Sequence, residues 1–248
     1  MDMKYIFITA VALWIFNGKA ECQSSGTVDC TQQIINSDYL TNISDNDVEI
    51  YLGYIGEDFQ RLRIVILSSI KNPDKPEEYF VFGKTMVHRN VCEFLGTIAI
   101  VKAEKSPTNE FEIDTIEVGS VTAKYRFYEN SKQNHVGFFN GTLTSEFYIG
   151  KETGQVYVSD LWEGADGFSN HQFQGTWSSY NGKTVKVCNW GIGRIPNSQK
   201  LDEGAAEFYP NESFYSKGWG TYYVNFLEKP KSEKELNDWE LEHEIWWK

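Results

Sequence analysis

His171–Trp190 reads HQFQGTWSSYNGKTVKVCNW. Apolar and polar residues alternate on both sides of Asn181-Gly182, the pair that suits a two-residue hairpin turn. The stretch therefore predicts two antiparallel strands, and it sets the expectation for the rest of the chain. Working outward, short runs rich in Val, Ile, Thr, Tyr and Phe follow one another from Asp47: DVEIYLGYI (47–55), RLRIVILSSI (61–70), EEYFVFGKTMV (77–87), VCEFLGTIAIVKA (91–103), EFEIDTIEV (110–118), VTAKYRFYE (121–129), GFFNGTLTSEFYI (137–149), GQVYVSD (154–160) and GTYYVNFL (220–227). Gly, Asn, Pro and Asp mark the gaps, and KNPDKPEEY (71–79) is a turn with two prolines. This pattern predicts an all-β, single-domain antiparallel barrel or sandwich.

The expected domain spans residues 47–248, after an irregular segment over 21–46. It ends in a helix over about 232–247, where Ser232 and Glu235 form a capping box and β-branched residues are nearly absent. At the other end, Lys4, the apolar run Tyr5–Phe16 and the small residues Gly18 and Ala20 read as a signal peptide over residues 1–20. The apolar run is too short for a bilayer core of about 30 Å, so no integral membrane segment is expected after cleavage. The expected location is periplasmic, cell-surface or extracellular. A formal net charge of −12 argues against nucleic acid as a partner.

Export places the four cysteines in an oxidising compartment and predicts disulfides. Cys92 and Cys188 sit in matching contexts, GKTMVHRNVCEF and GKTVKVCNW, and are the favoured pair. That crosslink is worth about 4–5 kcal/mol by loop entropy. Cys22 and Cys30 are left to staple the N-terminal segment.

Phe-x-Gly-Thr recurs as FLGTI (94–98), FNGTL (139–143) and FQGTW (173–177). The unequal spacing rules out a solenoid repeat, and no helix follows to cradle phosphate. The copies read as strand devices: Phe94, Phe139 and Phe173 point inward, and each glycine makes room for a neighbouring strand's ring. The two Gly-Lys-Thr triplets lack the upstream glycine of a phosphate loop. No histidine, cysteine or carboxylate spacing predicts a metal site, and no cofactor is expected.

Two functional readings remain. The first is a non-catalytic domain that binds a small molecule, glycan or protein through a barrel mouth or the Gly-rich stretch 189–220. Its candidate residues are Trp162, Trp177, Trp190, Trp219 and Arg194, because aromatics grouped on long loops suit ligand recognition. The alternative is a carbohydrate-active hydrolase. Glu112-Ile113-Asp114-Thr115-Ile116-Glu117 resembles the E-I-D-x-x-E motif of jelly-roll retaining β-glucanases. That resemblance implies Glu112 as nucleophile, Asp114 as its tuning partner and Glu117 as acid/base. On a regular strand Glu112 and Asp114 share one face, which also describes a plain acidic outer face.

More broadly, FQGTWSSYNGKTVKVCNWGIGRIPNS (173–198), YFVFGKTMVHRNVCEF (79–94) and the terminal WWK resemble a group of uncharacterised exported bacterial proteins. The likeness covers most of residues 77–248 and implies no catalytic residues. FQGTW is also similar to the opening strand of avidin- and lipocalin-like barrels.

Overall fold

The computed structural model describes residues 26–44, 48–109, 112–161 and 163–248. The predicted signal peptide, Cys22 and Trp162 lie outside the described residues. Among the described residues, ten strands form one antiparallel sheet: β1 (Val28–Asp29), β2 (Ile50–Ile55), β3 (Gln60–Lys71), β4 (Glu78–Val87), β5 (Asn90–Lys105), β6 (Ile116–Glu129), β7 (Gly137–Gly150), β8 (Val156–Val158), β9 (Ser169–Ser179) and β10 (Val185–Gly193). Eight of them close a barrel in the order β2-β3-β4-β5-β6-β7-β9-β10, and β10 pairs back onto β2. β1 and β8 are short additions on β5 and β7. Of the two expected architectures, the barrel is the one formed. Closure removes the sheet edges that a sandwich would leave exposed.

Period-two alternation explains how the wall sorts its side chains. On β6, Val121, Ala123, Tyr125, Phe127 and Glu129 are buried and their neighbours are not. The Phe-x-Gly-Thr copies act as expected. Phe94, Phe139 and Phe173 are buried, and their glycines sit under rings from β6. A Cβ on Gly96 would stand 2.8 Å from the Phe127 ring, and one on Gly175 2.7 Å from the Tyr125 hydroxyl. Gly141 faces Gly175 across the β7–β9 ladder and shares that hydroxyl. An eight-stranded barrel is just wide enough for its own side chains or one small ligand. Here the middle is filled by rings, with Trp190 stacked on Phe173 at 4.9 Å.

The opening hairpin forms, with a longer turn than Asn-Gly alone predicts. Ser178 pairs with Val185, so Tyr180–Thr184 make the connection. Asn181 holds it by accepting from Ser179 Oγ at 2.8 Å and Lys183 N at 3.0 Å, while Gly182 takes φ +69°. Of the expected strand 110–118, residues 110 and 111 lie outside the described residues, and the described part does not form a strand separate from 121–129. β6 starts at Ile116, and the preceding residues turn. GTYYVNFL is not a strand either; it contains a 3-10 helix, Tyr222–Phe226.

The segment before β2 is not irregular. Helix α1 (Thr31–Asn36) and a 3-10 turn (Tyr39–Ser44) drive Ile34, Tyr39, Leu40 and Ile43 into one end of the barrel. Tyr39 Oη lies 2.6 Å from Ser145 Oγ, which lies 2.7 Å from His171 Nδ1. Burial pushes His171 down to about 4, so the ring stays neutral. This end is plugged.

The chain after β10 runs outside the wall. Ile195, Leu201, Phe208, Phe214 and Trp219 cover Tyr54 and Phe59 in a second apolar cluster. Helix α2 (Glu233–Glu242) starts at Ser232, whose side chain accepts from Glu235 N. It docks through Glu242 rather than through its apolar residues: Leu236 and Leu241 are exposed. The cause is Arg61 on the outer face of β3, whose guanidinium donates to Glu242 Oε1 at 2.7 Å and Oε2 at 2.8 Å. No helix among the described residues is long and apolar enough to cross a membrane.

Candidate functional site

The end opposite the plug is open. The connections 56–59, 88–89, 130–136 and 180–184 rim a cavity of about 1210 Å³. Ile55, Val87, Phe139 and Trp177 give it an apolar lower wall, and the outer rim is polar. A cavity of this size and mixed character suits a small molecule.

Glu129 lines this cavity. As the last residue of β6 it keeps the inward phase of Tyr125 and Phe127, so the strand carries a carboxyl into the barrel. It is 6% exposed. Thr85 Oγ1 donates to Oε1 at 2.9 Å. Gly137 N at 2.9 Å and Trp177 Nε1 at 2.8 Å donate to Oε2. Tyr180 Oη donates to the Glu129 carbonyl at 2.5 Å. Burial pushes the Glu129 carboxyl above the usual range, even though the bonds from Trp177, Thr85 and Gly137 pull the other way. Among the described residues it makes no ion pair.

The rim carries backbone strain. Val87 pairs with Asn90, so His88 and Arg89 form a two-residue turn with φ +48° and +64°. His135, on the facing loop, has φ +57°. Positive φ at a residue with a Cβ is costly and concentrates at ligand clamps and other working sites.

The structure disperses the other expected site residues. Trp177 lines the open end, half-buried. Trp190 does not bind from a loop; it is 0% exposed in the barrel core. Trp219 is equally buried in the outer cluster, with its Nε1 donating to Phe59 O at 2.9 Å. Arg194 is occupied within its own segment, bonding Asp202 at 2.6 Å and the carbonyls of Gly204 and Ala205. It pins the chain after β10 and does not reach the cavity. Much of 189–220 is thus structural: strand to Gly193, then 3-10 turns over Gln199–Leu201 and Glu212–Lys217.

The hydrolase residues do not share a strand face. Glu112 has φ +53° and lies, like Asp114, exposed in the turn before β6. Glu117 is bound to Lys105 at 2.6 Å. A carboxylate-pair reading needs two carboxyls converging on a groove, and this stretch folds away from that arrangement. A smaller groove of about 440 Å³ on the outer wall collects Glu49, Glu163 and Glu207 beside Arg61 and Arg63. Crowding by its walls and then by Glu163 pushes Glu49 up to about 7. Yet Glu49 is exposed, and Arg61 is already spent on Glu242.

The expected Cys92–Cys188 disulfide is also corrected, while the Cys22–Cys30 pairing involves Cys22, outside the described residues. Cys30, Cys92 and Cys188 are buried free thiols. β5 and β10 stand opposite each other around the barrel, so Cys92 and Cys188 face across it. Their matching contexts reflect two strands that both leave the open end. Burial, then Glu129, pushes Cys92 up to about 11 and Cys188 well above the usual thiol range, which makes both poor nucleophiles.

Glu129 is the residue that sequence reading passed over. The signal was present: in KYRFYEN (124–130) an acid occupies the inward phase of an alternating strand. Comparison with known proteins adds no name to this site: no family description, no curated protein and no solved structure matches the chain.

Proposed function

We propose that the protein is an exported, non-catalytic binding barrel that takes one small molecule into its open end. The observation that carries this reading is the Glu129 carboxyl, buried in the cavity wall and bonded to three donors. A fold that plugs one end with Tyr39 and Leu40 and leaves the other open over a polar anchor has the layout of a cup. Apolar walls supply binding area, and a few fixed polar groups set orientation. FQGTW, on β9 here, is similar to the opening strand of avidin- and lipocalin-like barrels and points the same way, and the signal-like sequence of residues 1–20 supports export.

A thermal-shift screen of metabolites and glycans on the chain lacking residues 1–20, confirmed by calorimetry, tests the proposal. Val136→Trp fills the rim and should abolish binding of any hit. Arg194→Ala, on the outer wall, should leave it intact. Hits that survive Val136→Trp, or are lost with Arg194→Ala, would move the site elsewhere.

A further inference from the structure

We infer that the ligand of the open end carries a protonated amine and that Glu129 receives it. The inference rests on the open end being the binding site and adds the chemical class. Every bond to the carboxyl comes from a neutral group: a hydroxyl, an indole N–H and a backbone N–H. Oε2 accepts two of them and Oε1 only one, so an acceptor direction on Oε1 is left over. A carboxyl withdrawn from water is costly unless a cation pairs with it. Among the described residues no side chain supplies that cation. Lys186, the one lysine lining the cavity, is exposed at the rim and makes no ion pair with Glu129. Asp58, the other rim carboxylate, is already held by Lys217 at 2.6 Å. His88 and His135 sit on the outer loops.

An ammonium group supplies what is missing. It brings the opposite charge together with N–H donors, and such charge-assisted bonds are roughly twice as strong as neutral ones. Trp177 and Phe139 line the same space, and aromatic faces attract cations. An anionic ligand would instead meet the buried Glu129 carboxyl, with Lys186 offered only at the exposed rim.

The test uses three probes of one shape on the chain lacking residues 1–20: phenethylamine, phenethyl alcohol and hydrocinnamate, titrated by calorimetry. The amine should bind at least about tenfold tighter than the alcohol, the margin that one charge-assisted bond provides, and hydrocinnamate should bind weakest. Glu129→Gln should erase the preference without unfolding the barrel. The amide oxygen can accept from Gly137 N and Trp177 Nε1, while its NH₂ donates to the Thr85 hydroxyl. Amine and alcohol binding equally to the wild type, with Glu129→Gln changing neither, would overturn the amine assignment and leave the open end as a site for neutral ligands. If no probe binds at millimolar concentration, the amine assignment also falls, and the general screen with Val136→Trp decides separately whether the open end binds anything.

Discussion

Removing Glu242 should release the C-terminal segment from the barrel wall at a calculable cost. Arg61 and Glu242 are 7% and 6% exposed and meet through two parallel bonds. Truncating one member of a buried pair leaves the other charge stranded, which typically costs about 3–5 kcal/mol. Arg61 keeps some company in Glu242→Ala: Gly218 O at 3.2 Å and the rings of Trp219 and Tyr222 at 5.1 and 5.2 Å. The low end, about 3 kcal/mol, is therefore expected. For a chain of this size that lowers Tm by roughly 6–12 °C. Differential scanning calorimetry, with urea unfolding to obtain the free energy, measures it. The double variant Arg61→Met, Glu242→Leu should recover most of the loss, because it strands no charge. The loss should also fade in acid. Burial raises the Glu242 pKa, but Arg61 outweighs it and holds the native value below the ordinary range. The pair's contribution is thus present above the unfolded carboxylate range, near about 4.3, and disappears as pH falls through the native value. A cost below about 0.5 kcal/mol, the worth of an exposed pair, would refute the reasoning. So would a double variant less stable than the single one.

Glu129 should behave in the opposite sense. Its native pKa is raised by burial, so its stabilising contribution is complete below the unfolded carboxylate range and falls as pH rises through the native value. Urea unfolding of Glu129→Gln should match wild type in acid and exceed it once the pH has passed the raised native value; a constant difference across pH would contradict this. Gly175→Ala should cost about 1–3 kcal/mol or more by overpacking, because its Cβ would stand 2.2 Å from Asn140 O. An unchanged urea midpoint would show that the β7–β9 ladder yields freely there. Replacing His88-Arg89 by Asn-Gly should stabilise the chain by about 1–2 kcal/mol, since both residues hold positive φ. A loss of stability would mean that the native side chains hold the turn by contacts worth more than its strain.

Much of the barrel was legible because strand alternation is a local property. Phe94, Phe139 and Phe173 announce their inward face, and the glycines two residues on announce a close neighbour. What the sequence could not show is which strand lies opposite which. Matching contexts for Cys92 and Cys188 pointed to adjacency, whereas ring closure sets their strands across the barrel from each other. Trp190 and Trp219 looked like loop aromatics because the wall they pack on is distant in sequence. The plug was missed for a related reason. Ile34, Tyr39, Leu40 and Ile43 are scattered among polar residues, and only the barrel end they plug gives them a common surface to bury. Glu129 and Arg61 were within reach, Glu129 as an acid in the inward phase and Arg61 as a cation on the outward face of an apolar strand. Their partners Trp177 and Glu242 lie 48 and 181 residues away.

The indole N–H of Trp177 is the most direct reporter on the central claim, because it is bonded to Glu129 and both line the cavity. Its signal in a ¹⁵N–¹H correlation spectrum, assigned by its loss in Trp177→Phe, can be followed while a ligand from the screen is added. The account predicts that this indole signal shifts on binding while those of Trp190 and Trp219, sealed in the two cores, stay in place. A ligand that binds with Trp177 unmoved, or that shifts Trp219 instead, would contradict it.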